Sequence, residues 1–124
     1  MHFPEGTRVY SVYYKTESLP FPIAGMSDEM PYESTIYSHM TEDMVDAFKR
    51  VFLEKTREAV ECFRPDLILC HHLYLLTAAV REAFPQYKTA AICHGTGLRQ
   101  VKKNSLERDY ILAHIKELDK VFCL

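Results

Sequence analysis

Two stretches decide the fold: Pro65-Asp66-Leu67-Ile68-Leu69-Cys70-His71-His72 and Thr89-Ala90-Ala91-Ile92-Cys93-His94-Gly95-Thr96. Each is a short apolar run that ends abruptly in histidine. A run that is apolar at successive positions suits a central parallel strand covered by helices on both faces. Between the two, Leu73, Leu76, Thr77, Val80 and Phe84 recur at helical spacing, and Pro85 closes the segment. Strand, helix and strand read as one βαβ unit. Its polar residues stand at the carboxyl ends of both strands, the edge at which open parallel sheets bind ligands.

Upstream, Thr41 is a good N-cap, with Glu42 and Asp43 where negative charge suits a helix start. Met44, Phe48, Val51, Phe52, Ala59, Val60 and Phe63 then recur at spacings of about three and four, which predicts a helix of roughly 20 residues ended by Pro65. Its aromatic stripe reads as core. Downstream, Gly95 and Gly97 permit unusual backbone angles in a loop. Ser105 caps a helix over Leu106 to Leu118, with Ile111, Ile115 and Leu118 inward, and Asp119 to Leu124 begins another strand. This alternation predicts an α/β, Rossmann-like, doubly wound and mainly parallel sheet with right-handed crossovers. Residues 1–124 form a single partial domain of this kind, with the βαβ core at 66–124. The chain halts on a strand that no helix follows, so it reads as part of a longer protein.

The amino-terminal part is less regular. Arg8 to Tyr14 is rich in β-branched and aromatic residues and predicts a strand. The segment 15–40 holds Pro20, Pro22, Gly25 and Pro31 with little periodicity, longer than the ~12–15 residues that a compact domain ordinarily leaves without structure. Phe21, Ile23, Met26, Met30 and Tyr32 indicate that it packs against the rest. Asp28 and Glu29 read as a solvated turn.

At 124 residues the chain is long enough to bury a core, and 48% hydrophobic with 26% charged residues marks a globular protein. A formal charge of -2 gives no reason to expect nucleic acid as a partner. No apolar run is long enough for a membrane span, and the first residues do not read as a signal peptide. Cys62, Cys70, Cys93 and Cys123 show no CxxC spacing and read as reduced thiols in a cytoplasmic protein. A membrane surface stays open as a partner but is not indicated, because no basic amphipathic helix demands one.

His94-Gly95-Thr96 is the sharpest chemical candidate. Histidine at a strand end followed by glycine sets an imidazole and free backbone N–H groups at the ligand edge, where phosphate oxygens are well received. Arg99, Lys102, Lys103 and Arg108 follow closely, with only Glu107 to oppose them. His71 and His72 end the preceding strand, and alternation predicts that one of them points toward His94. Cys70 and Cys93 lie nearby, but with Cys70 buried and no carboxylate in support, no metal is expected. His39 and His114 read as a loop and a helix-surface residue. There is no GxGxxG, no GxxxxGK[ST] and no GxSxG, which leaves dinucleotide binding of the Rossmann type, P-loop hydrolysis and serine hydrolysis unsupported.

The run from Arg64 to Leu73, then Ala91-Ile92-Cys93-His94-Gly95-Thr96-Gly97-Leu98-Arg99, then Asp119 to Leu124 resembles the amino-terminal half of family 4 (group 1) glycosyltransferases. The likeness covers roughly residues 63–124 and lies in three ordered motifs: a PD-hydrophobic-His strand, an HGT strand end and a D-hydrophobic-hydrophobic strand. It implies a GT-B fold and transfer of a sugar from a nucleotide-sugar donor, with retention and without a required cofactor or metal. The acceptor, a sugar or a lipid-linked molecule, would sit mainly on this half, and the donor on a carboxyl-terminal domain absent here. By the same likeness His94 is catalytic, Gly95 and Thr96 line the substrate wall, and His71, His72 and Arg99 are further substrate-binding candidates. Gly97 stands where the family often has aspartate, and the family's first strand with its glycine-rich loop has no match here. The chain alone is expected to be inactive. The alternative is a stand-alone flavodoxin-like module that holds an anion or nucleotide on the glycine loop and basic cluster.

Overall fold

The computed structural model describes residues 2–124. Its framework is a parallel sheet of three strands, β3 (Leu67–His71), β4 (Lys88–Cys93) and β5 (Lys120–Cys123), in the order β3-β4-β5. A second, minimal parallel pair joins β1 (Ala24–Gly25) to β2 (Thr35–Ile36). Four helices complete the α/β architecture: α1 (Glu42–Phe63), α2 (Leu75–Ala83), α3 (Thr96–Lys103) and α4 (Arg108–Ile115). None of the described helices is long and apolar enough to cross a membrane.

The local signals for α1 act as their chemistry dictates. The Thr41 hydroxyl accepts the Met44 N–H at 3.3 Å, satisfying a donor that the first turn leaves free. At the other end Arg64 turns left-handed at φ 52°, because the residue before Pro65 is barred from the helical region. Val45, Phe48 and Val60 are buried, whereas Phe63, expected inward, is 70% exposed. The second helix is buried almost all round, with Leu75, Thr77, Ala78, Ala79 and Val80 inside. It lies between α1 and α4.

β4, not β3, is the central strand. The expected central position of Leu67 to Cys70 is therefore corrected: β3 is an edge of the sheet, with Leu67 52% and Leu69 50% exposed. Ile68 and Cys70, which point the other way, pack with Val60, Val80 and Phe84 of the helical layer. Among the described residues the helices cover one face, so the two-sided winding is not seen. β5 is anchored at its start by Asp119, whose carboxylate accepts the Thr89 N–H at 2.9 Å and pairs with Arg81 at 3.3 Å.

Arg8–Tyr14 forms no strand, because its backbone meets no ladder partner among the described residues. The last helix spans only Arg108–Ile115, and Ser105 does not cap it: the preceding residue Glu107 is left-handed, and Asn104 takes the Leu106 N–H instead. Ile111 is fully buried, while Ile115 and Leu118 are half-buried. His114 is no free surface residue; its Nε2 lies 3.1 Å from Glu82, linking α4 to α2.

Candidate functional site

Register builds the site. His71 pairs with Ile92 across the β3–β4 ladder, so His94, two residues beyond Ile92, falls on the same face as His71. The two rings stack with centroids 5.2 Å apart, and His71 Nδ1 lies 2.9 Å from His94 Nε2. Such a contact needs one N–H donor and one bare nitrogen, so protonating both rings breaks it.

His72 corrects the alternation argument. Its φ of 69° takes it out of the strand and into the left-handed region, so its side chain does not point to the opposite face. Its ring instead lies 4.5 Å from that of His94, and its Nδ1 is 3.1 Å from the Thr96 hydroxyl. Backbone ties hold this kink: the His72 N–H donates to the Ile92 carbonyl at 3.0 Å, and the Thr77 hydroxyl donates to the His72 carbonyl at 2.6 Å. Both histidines therefore meet His94. Burial, followed by the neighbouring His94 and His71 rings, holds the His72 imidazole below its ordinary pKa.

The glycine after His94 has the expected use. Gly95, at φ 85°, is the residue before α3, and no side chain caps that helix start. The first-turn N–H groups of α3 therefore face the site without an intrahelical partner. Arg99 lies one turn further on, its guanidinium 3.9 Å from where a Cβ on Gly95 would stand. Gly97 is different from its expected role. It lies inside α3 with an ordinary helical backbone, and a Cβ there would meet the Leu73 carbonyl oxygen at 2.6 Å. Close approach, not loop flexibility, demands glycine.

The basic cluster does not converge as one surface. Lys103 pairs with Asp28, and Arg108 donates to the Val101 and Asn104 carbonyls at 2.9 and 2.8 Å. Asp28 is thus not a freely solvated turn residue. The Lys103 ammonium, followed in effect by the Gln100 amide, holds its carboxyl below the usual range. Sequence reasoning missed Gln100, which is 4% exposed and donates to the Met26 carbonyl at 3.1 Å. A glutamine on a helix of high polarity carries no outward sign of burial. Among the described residues no group of His, Cys, Asp and Glu side chains is arranged to hold a metal ion.

All six anticipated residues gather at one edge: His71, His72, His94 and Thr96 in mutual contact, with Gly95 and Arg99 at the start of α3. Chemically, the edge offers imidazoles able to give or take a proton, a hydroxyl, free N–H donors and one guanidinium. Comparison with protein-family models, curated proteins and solved structures gives no match to this chain.

Proposed function

We propose that this chain is the acceptor-side part of a retaining glycosyltransferase of the GT-B type, which works with a second domain that binds a nucleotide-sugar. The observation that supports it is the gathering of three imidazoles beside the uncapped start of α3, at the carboxyl edge of a parallel sheet. Open α/β sheets bind their ligands at that edge. In this reading the acceptor hydroxyl oxygen bonds to the anomeric carbon of the donor sugar as the bond from that carbon to phosphate breaks, and the hydroxyl proton passes to the departing phosphate oxygen. His94 contacts the transferred sugar and its phosphate, supported by the neutral ring of His72 and by His71. Gly95 and Thr96 line the wall, and Arg99 with the α3 N–H groups faces the negative charge that develops on the departing phosphate. The reading places the protein in the cytoplasm, where its four free thiols stay reduced.

Sugar transfer by the two-domain protein that this reading requires is the test. Replacing His94 by alanine should lower turnover on the order of 10²-fold, the effect of removing one well-placed polar group from a transition state. Near-normal turnover would remove His94 from the reaction. One observation favours the second reading, a stand-alone anion- or nucleotide-binding module: the N–H groups at the start of α3 are free beside Arg99. Titrating phosphate and nucleotides into the isolated chain separates the two, since the transferase reading expects weak or no binding there.

A further inference from the structure

A cavity of about 530 Å³ lies between α1, the irregular segment and the carboxyl end of β3. Its walls include Tyr14, Tyr37, Phe48 and Phe52, and His71 and His72 stand at the sheet edge of the same space. The volume is within the ~300–1,000 Å³ of small-molecule sites, and an aromatic lining with a few polar atoms is their usual chemistry. No aspartate or glutamate lines it, so a cation finds no counter-charge. Lys55, at the wall, is already paired with Glu58 at 3.2 Å.

The polar atoms differ in their engagement. Thr56 donates to the Phe52 carbonyl at 2.7 Å, Thr77 to the His72 carbonyl at 2.6 Å, and Tyr74 to Asn104 at 3.4 Å. Tyr37 is the most enclosed of the lining tyrosines whose hydroxyls form no side-chain hydrogen bond among the described residues: it is only 6% exposed and fixed edge-on against Tyr74 and Phe48. A phenol held between aromatic neighbours in an apolar wall, its hydroxyl bonded to no protein group, offers a hydrogen bond that a ligand can take.

We propose that this cavity binds a hydroxylated aromatic molecule with a polar atom at each end. The ring lies among Tyr14, Phe48 and Phe52, one polar atom meets the Tyr37 hydroxyl, and the other reaches the imidazoles of His71 and His72. Resting on the transferase reading, this makes the acceptor an aromatic alcohol in preference to a free sugar.

Naphthalene-2,6-diol is the probe, titrated calorimetrically into the chain, with glucose as the ringless control. Saturable one-to-one binding is expected for the diol and none for glucose. Tyr37→Phe, which keeps the ring and removes only the hydroxyl, should weaken binding about three- to tenfold, the value of one neutral hydrogen bond. Ala59→Phe projects a ring from the cavity wall and should abolish binding; if that variant fails to fold, Tyr37→Phe still decides. Absence of saturable diol binding, equal binding of glucose, or unchanged affinity in Tyr37→Phe overturns the proposal. Diol binding without transfer onto the diol or any other acceptor by the two-domain protein upholds the cavity and removes the transferase reading. Transfer onto glucose without diol binding removes the cavity and keeps the transferase.

Discussion

At Gly97 a single methyl group would have to share space with the Leu73 carbonyl, which is backbone and has little room to give. Gly97→Ala should therefore destabilise the protein by about 1–3 kcal/mol, the usual cost of overpacking, read as a lowered urea midpoint at unchanged slope. An unchanged midpoint would mean that α3 and Leu73 are not so closely packed. His72 leads to a pH effect. Its folded pKa is depressed, so its stabilising contribution is present above the unfolded value of about 6.5 and is lost as pH falls toward the folded value. In that window the unfolded chain binds more protons, so unfolding should become easier as the solution is acidified. His72→Asn tolerates the left-handed backbone but does not titrate there. Thermal unfolding from pH 7 to 5 should decline less steeply in this variant than in the parent, and equal slopes would contradict the assignment.

Among the elements, α3 ties down the irregular segment by polar contacts, in addition to the core packing of Leu19, Phe21 and Tyr37. Gln100 donates to Met26 and accepts from Asn104 at 2.9 Å, while Lys103 pairs with Asp28. The ion pair alone contributes little, since Lys103 is mostly exposed. The buried amide matters more. Gln100→Ala leaves the Met26 carbonyl without this donor and should cost about 1–3 kcal/mol. Hydrogen exchange should quicken at residues 24–36 before it does in β4; a uniform change would show that the segment is held by other contacts. Asp119 does the same for β5, since its carboxylate serves both Thr89 and Arg81. That explains in physical terms an aspartate at the head of an apolar strand.

For the whole molecule the imbalance of the sheet is the main feature. Among the described residues helices pack on one face, while the other shows Leu67, Leu69 and Phe122, each at least half exposed, and β3 offers an unpaired edge. An apolar face beside a free strand edge promotes self-association. Leu69→Lys adds charge where the side chain already meets solvent. It should raise the concentration at which light scattering detects aggregates, and shift the urea midpoint by no more than about 0.5 kcal/mol in stability terms. A large loss of stability would show that the face is covered in solution.

Local chemistry made much of this legible before any fold was known. Thr41 and Pro65 bound α1 because capping and the pre-proline restriction act within a few residues, and the apolar runs ending at His71 and Cys93 are the strands that appear. The approach of His94 to the β3 histidines follows from the parallel register. Other features depend on partners far away in sequence. Arg8–Tyr14 has strand-forming residues but no ladder, because a strand exists only when a neighbour takes its hydrogen bonds. Only the packed molecule decides that β3 is an edge, that Gly97 is needed for contact with Leu73, and that Gln100 is buried on Met26. It also decides that His72 turns left-handed and joins His94, since the bonds that hold it come from Ile92 and Thr77. Short-range preferences write the elements, and long-range hydrogen bonds and close contacts choose which side chains meet.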